Sequence, residues 1–163
     1  MTAEHDIEKS LTGRFPFLTG KSRVPRVRRI FVDAPAEHFA ELFEHLVRHE
    51  GFTILCTITG LDLGVTLGVL YHLAQEGGIV LTVGTAVPKE APVIRTVTGI
   101  FPSADAYERE ITDLFGMQVE GLPAGNRYPL PDGWPANEYP LRKDWKATEE
   151  NALPGAPKEA VDA

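Results

Sequence analysis

The chain has 163 residues, 43% of them hydrophobic and 24% charged, with a net charge of −7. That balance supports one domain with extensions and a buried core, and it weighs against a dedicated nucleic-acid binder, which carries a basic footprint. One cysteine, Cys56, excludes an internal disulfide and any four-cysteine zinc or iron–sulfur site. No apolar run nears the roughly 20 residues of a membrane span, and Met1–Ser10 lacks the apolar core of a signal peptide. A soluble, cytosolic polypeptide is expected, with any cofactors and spans on other chains.

In chain order, residues 1–25 carry little periodicity and are expected to form a loosely held arm. Arg26 to Asp33 has the β-branched and aromatic bulk of a short strand. Pro35 suits the first turn of a helix. Phe39, Leu42, Phe43, Leu46 and Val47 follow as one apolar stripe, and Gly51 can end it. Three strand signals come next, at Thr53–Thr59, Val65–His72 and Ile79–Thr85, joined by short glycine-containing loops. Short loops between consecutive strands predict an antiparallel meander. Val93 to Ile100 reads equally as strand or helical turn. Ser103 is the expected N-cap of a second helix, whose apolar face is Tyr107, Ile111, Leu114 and Phe115 and whose stop is Gly116. Five prolines from Pro123 to Pro140 make the following segment extended and irregular. Residues beyond Lys146 are expected to fray. The predicted fold class is therefore α+β, a two-layer domain of strand, helix and meander over residues 26–120. The arm is 1–25 and an extended, proline-rich docking tail occupies 121–163.

Candidate chemistry is sparse. Glu108, Glu110 and Asp113 offer carboxylates for acid–base work, but no nucleophile, metal cluster or phosphate loop accompanies them, so a solvated helix face is the reading preferred. His45 and His49 have the i, i+4 spacing of a helical metal pair without an evident third ligand. Cys56 falls on an apolar alternation and reads as a small buried hydrophobe. Lys21, Arg23, Arg26, Arg28 and Arg29 form a basic stripe, and the alternative function it suggests is a nucleic-acid-binding module. Tyr128, Trp134, Tyr139 and Trp145 are too many large rings to leave in water. With Pro140-Leu141-Arg142-Lys143-Asp144 between two of them, the tail is expected to dock on a partner through aromatic and arginine anchors.

Glu108-Arg109-Glu110, Asp113-Leu114-Phe115-Gly116, Gly121, Pro123, Arg127 and Pro140-Leu141-Arg142-Lys143-Asp144 together resemble the signature of the 30 kDa subunit family of respiratory complex I. That family includes the equivalent subunit of membrane-bound energy-converting nickel–iron hydrogenases. The resemblance spans roughly residues 25–145. Tyr107 stands where a tryptophan is common and Leu122 where a histidine is usual, and Ala124-Gly125-Asn126 departs from the family's turn. The segment from Leu130 to Pro135 is more similar to the hydrogenase side.

The resemblance implies a peripheral-arm subunit with no catalytic, cofactor or metal residues of its own. Iron–sulfur clusters, and nickel–iron or quinone chemistry, would belong to partner subunits. It implies two partners, the large 49 kDa-like or nickel–iron subunit and the small iron–sulfur subunit, with no nucleic acid. The complex would sit at the cytoplasmic side of the membrane, coupling electron transfer to ion translocation. Arg109, Glu110, Asp113, Arg127, Trp134, Tyr139, Arg142, Lys143, Asp144 and Trp145 would be interface positions.

Overall fold

A computed structural model describes residues 2–147. The fraying expected beyond Lys146 and the last part of the expected docking tail, 148–163, lie outside those residues. The arm expected at 1–25 is instead folded. Helix α1 (Ala3–Arg14) runs into a 3-10 turn at Pro16–Leu18 and then strand β1 (Ser22–Arg26). Leu11, Phe15 and Leu18 explain the difference: they recur one and two turns apart, and all three are buried in the core. Apart from Ala3 and Ile7 the rest of α1 is polar, which hides that stripe in the sequence. Glu4 fixes the other end, accepting the Arg28 backbone N–H at 2.6 Å.

The single strand expected over Arg26–Asp33 is a hairpin. β1 turns through Arg28, whose φ is +60°, into β2 (Arg29–Asp33), which leaves Val27 exposed at the tip. Helix α2 (Ala36–Arg48) follows with Phe39, Leu42, Phe43 and Leu46 buried, as the stripe predicts. Each such side chain contributes roughly 1.5–3 kcal/mol on leaving water. Phe39 and Phe43 close on Tyr71 with ring centroids 4.7 and 5.4 Å apart.

The meander is present as β3 (Ile54–Asp62), β4 (Thr66–Ala74) and β5 (Val80–Pro88), antiparallel throughout. β2 then pairs with β5 in parallel, giving a mixed sheet of order β1-β2-β5-β4-β3. Leu67, Val69, Tyr71 and Leu73 of β4 alternate inward with Leu81 and Val83 of β5. Val65, the first residue of the expected strand Val65–His72, lies instead in the β3–β4 loop and is 85% exposed. Cys56 is exposed rather than buried. The β3–β4 register shifts between Leu55 and Thr57, so Cys56 is the extra residue of an irregularity that breaks the alternation.

Val93–Ile100 resolves into both of its readings in succession. β6 (Val93–Arg95) is a strand, and the chain from Val97 to Phe101 makes a helical turn closed by the Phe101 N–H on the Val97 carbonyl at 2.9 Å. Helix α3 (Ala104–Phe115) starts after Ser103, which occupies the N-cap position without capping through its side chain. It ends at Gly116, which takes the left-handed conformation with φ +69°. β7 (Gln118–Glu120), which the sequence did not announce, pairs with β6 in parallel.

α3 lies directly on the backbone of β3. A Cβ at Gly60 would stand 2.6 Å from Phe115 Cε2 and 3.1 Å from Ile111 Cγ2, so only glycine permits this approach. Gly60→Ala is expected to cost about 1–3 kcal/mol through forced repacking, read as a drop of several degrees in thermal unfolding with the secondary structure retained.

Candidate partner interface

From Gly121 onward the chain makes no further helix or strand among the described residues, yet it is tied down at every few positions. The ties begin on α3. Arg109 forms a two-pronged bond to Asp105, Nε to Oδ2 at 2.8 Å and Nη2 to Oδ1 at 2.9 Å, and Nη2 also donates to the Pro123 carbonyl at 2.6 Å. A Cβ at Gly125 would meet that guanidinium at 2.5 Å, which accounts for the glycine in this turn. One helical turn on, the buried Asp113 accepts Arg127 Nε at 3.0 Å and the Leu130 N–H at 3.3 Å. Arg127 Nη1 reaches on to the Trp134 carbonyl at 3.0 Å. The Tyr128–Pro129 peptide is cis.

The aromatic part forms its own knot. The indole N–H groups of Trp134 and Trp145 both donate to Glu138, to the backbone carbonyl at 2.8 Å and to Oε2 at 2.5 Å, and the two ring centroids are 6.0 Å apart. Trp134 is buried, whereas Tyr128 is half exposed. Arg142 donates through Nε to the Phe115 carbonyl at 2.7 Å, satisfying one of the free carbonyls at the C-terminus of α3. Its guanidinium lies 4.5 Å over the Tyr139 ring. Both side chains press on Gly116, where a Cβ would come within 2.5 Å of the Tyr139 ring.

The last tie is a carboxylate. Asp62, at the end of β3, accepts the Gly64 N–H on Oδ1 and both Lys89 Nζ and the Lys143 N–H on Oδ2, each at 2.8 Å. Lys89 bridges to Asp144 Oδ1, also at 2.8 Å. The Lys89 ammonium and then the Lys143 N–H hold the Asp62 carboxyl well below the usual carboxylate range. Asp62 and Lys89 were missed in the sequence because they lie 81 and 55 residues from Lys143 and Asp144.

The structure thus places Arg109, Asp113, Arg127, Trp134, Tyr139, Arg142, Lys143, Asp144 and Trp145 in contacts within the chain, where they hold the tail against α3 and the β3–β4 loop. Glu110, also on α3, is half-buried. The expected solvated face of α3 is corrected at two points, for Glu108 and Asp113 are buried. Glu108 accepts Thr96 Oγ1 at 2.5 Å and the Val97 N–H at 2.7 Å, locking α3 to the segment after β6. Burial pushes its carboxyl above the ordinary range, against the lowering effect of those two donors.

This framework leaves three apolar side chains exposed. Leu63 and Val65 on the β3–β4 loop and Leu141 on the tail are 53%, 85% and 52% exposed. Val65, Lys89, Gly116, Tyr139, Arg142 and Asp144 line one open polar groove.

Residues 32–151 match the family of the respiratory-chain NADH dehydrogenase 30 kDa subunit. The chain belongs to that family. It is 31% identical over 136 residues to the C subunit of the F(420)H(2) dehydrogenase of Methanosarcina mazei, covering 79% of this chain and 86% of the relative. It is 38% identical over 91 residues to the C/D subunit of the NADH-quinone oxidoreductase of Pseudomonas fluorescens, covering 55% of this chain but only 15% of that protein. A chain of an archaeal respiratory membrane complex, the membrane-bound sulfane sulfur reductase, superposes with a TM-score of 0.75 at 28% identity, covering 87% of this chain and 85% of that one. Of the residues that carry the resemblance, Arg109, Asp113, Arg127, Arg142, Lys143 and Asp144 make the bonds that fasten the tail.

The other candidates stand elsewhere. The basic stripe lies on the β1–β2 hairpin, where Arg23 pairs with Asp33 at 3.4 Å and lies over the Phe31 ring. His45 and His49 have ring centroids 5.0 Å apart, with His45 Nε2 3.5 Å from Glu50. No group of three metal-ligating side chains occurs among the described residues, and no helix there is long and apolar enough to cross a membrane.

Asp62→Ala should free the end of the tail. Limited trypsin digestion is expected to cut after Arg142 and Lys143 in the variant while the parent resists and the domain survives in both. Glu108 gives a pH signature. Its folded carboxyl titrates above its unfolded value, so its charge opposes folding at neutral pH, and that penalty fades as pH falls through the folded pKa. Glu108→Gln, which can keep both bonds, should match or exceed the parent in thermal stability at pH 7. The difference should shrink toward pH 4.5.

Proposed function

We propose that this chain is a cofactor-free docking subunit in the peripheral arm of a complex-I-like, membrane-bound redox complex. It binds the large catalytic-type subunit and lies beside the small iron–sulfur subunit, on the cytoplasmic side. Electron transfer and the coupled ion movement run on those partners, through their iron–sulfur clusters and a nickel–iron or quinone site. This chain contributes a rigid surface that caps the large subunit and holds the arm together.

The observation that carries the proposal is exposed apolar surface beside a guanidinium that is already immobilised: Val65 lines the same groove as Arg142, and Leu141 precedes Arg142 in the tail. Arginine and aromatic side chains are enriched among interface anchors, and apolar neighbours help to exclude water around them. Arg142 has its Nε bond and its ring contact made in advance, so little side-chain entropy is lost when its outer nitrogens meet a partner. The Pseudomonas fluorescens relative supports the choice of partner. Its name joins the letters C and D, and the segment like this chain is a small part of it, an arrangement that suits two units that work side by side. Similarity to one part of an F(420)H(2) dehydrogenase and to a sulfane sulfur reductase chain favours a branch other than the ordinary NADH-linked one.

Isolation of the tagged chain from native membranes is expected to bring a large subunit with it, and the presence or absence of nickel-binding cysteines in that subunit assigns the branch. Val65→Glu and Leu141→Glu alter exposed positions and should leave thermal unfolding within a degree or two. Each is expected to weaken the complex at least tenfold. Unchanged recovery of the large subunit with the double variant would refute this surface.

A further inference from the structure

The basic stripe has no part in the groove. Its densest stretch, Arg26-Val27-Arg28-Arg29, is the tip of the β1–β2 hairpin. β2 runs parallel to β5 with Arg29 opposite Val80, whereas Lys89 of the groove follows the far end of β5. β5 is nine residues long, so tip and groove stand at opposite ends of the sheet, roughly 27 Å apart at the usual rise of a strand.

Two features of the tip work against the fold. Arg26 and Arg29 are cross-strand partners, and like charges set directly opposite destabilise a sheet. Arg28 takes a left-handed φ of +60°, which glycine or asparagine adopts with less strain. No carboxylate offsets this. Among the described residues, Arg26, Arg28 and Arg29 take part in no ion pair. Acids on the adjoining elements are engaged elsewhere: Glu4 with the Arg28 backbone N–H, Asp33 with Arg23, and Glu8 with the Ser22 hydroxyl. Arg28 lies beside Gly78 in the β4–β5 turn, yet it makes no pair with Glu76 of that turn. The tip is also open. Arg26 and Arg28 are exposed and Val27 is 74% exposed, while Arg29 is steadied by its Nη1 bond to the Arg28 carbonyl at 2.8 Å.

Charge that costs the fold and finds no partner within it points to a negative group arriving from outside. The chain as a whole carries −7, so its long-range field opposes an extended polyanion, and only a compact, short-range contact gains from the cluster. A polybasic membrane patch gathers about 4–8 cations, more than Arg26, Arg28 and Arg29 supply. Nucleic-acid bases would find no free ring to stack on, for Phe31 lies under Arg23. An acidic protein surface fits best, since the arginine fork matches a carboxylate with two bonds.

We propose that the hairpin tip is a second docking point, taking an acidic patch of two or more carboxylates on a neighbouring subunit of the same complex. The inference rests on the docking role proposed above and extends it to the other end of the sheet. A carboxylate between Arg26 and Arg29 ends their repulsion, Arg28 takes a second, and Val27 is covered.

The test reads thermal unfolding of the isolated chain and the subunits that the tagged chain brings from native membranes. Arg26→Glu sets opposite charges across the hairpin and Arg28→Asn suits its backbone, so unfolding should hold or rise by a degree or two. Arg26→Glu should nonetheless lower recovery of one neighbouring subunit at least tenfold, and Arg28→Asn about threefold. Arg26→Lys puts an amine at the tip, and zero-length carbodiimide cross-linking of the purified complex should join it to an aspartate or glutamate of that subunit. If Arg26→Glu and Arg28→Asn unfold several degrees lower, the arginines serve the fold and the inference is overturned. It is overturned as well if both variants recover every subunit as the parent does, or if residue 26 cross-links to no other subunit. Binding of the parent, but not of Arg26→Glu, to phosphatidylglycerol vesicles or to a DNA duplex at physiological salt would overturn it in favour of lipid or nucleic acid. In each of these cases the large subunit is still recovered and the docking role stands. If the parent chain leaves the membranes alone, both fall together.

Discussion

The carboxylate of Asp62 governs the working surface of this protein. It stands at the end of an edge strand, shielded from water, and accepts two backbone N–H groups and an ammonium. A buried carboxylate stripped of those donors would be costly, so the donors and the acceptor hold one another in place. Through them the β3–β4 loop, the residue after β5 and the tail meet at one point. The exposed groups of the groove have fixed positions because this junction does.

Much of the architecture was legible in the sequence. The stripe from Phe39 to Leu46 and the alternation from Leu67 to Tyr71 are periodicities set by burial, and burial is what the fold delivers. The signature at Glu108–Gly116 and Pro140–Asp144 led to the right family. Where the reading failed, the cause lies in contacts that no local pattern encodes. Leu11, Phe15 and Leu18 are three apolar residues in a polar stretch, and only the core behind them makes α1 a packed element. β7 is three residues long and exists because β6 is beside it. Cys56 obeyed the alternation until a register shift removed it from the ladder.

The tail is the instructive case. Its stiffness and aromatic content suggested a ribbon awaiting a partner, and the cations and carboxylates of the signature suggested the points of contact. In the fold, those charged groups serve the chain itself: Arg109 closes the turn at Pro123, Asp113 receives Arg127, and Arg142 caps α3. Proline-rich chain lacks the regular ladders that satisfy backbone groups, so side chains from the neighbouring helix supply the bonds instead. Apolar side chains such as Val65 and Leu141 are offered outward as well, and sequence inspection passes over them because single exposed hydrophobes are common. Groups that do carry a signal, such as Glu108, turned out to be buried and structural.

The mixed sheet also orders events in time. The meander β3–β4–β5 closes through short loops, but β2 reaches β5 only across α2 and the whole meander. The tail meets Asp62 from 81 residues away. Loop closure makes such distant pairings the slower ones. On a ribosome the residues that complete the groove emerge after the sheet and α3, so the full groove forms only once those elements are in place. A chain cut short of Tyr139 would present Val65 without the groove around it, so a partner that needs both would select chains folded through Asp144.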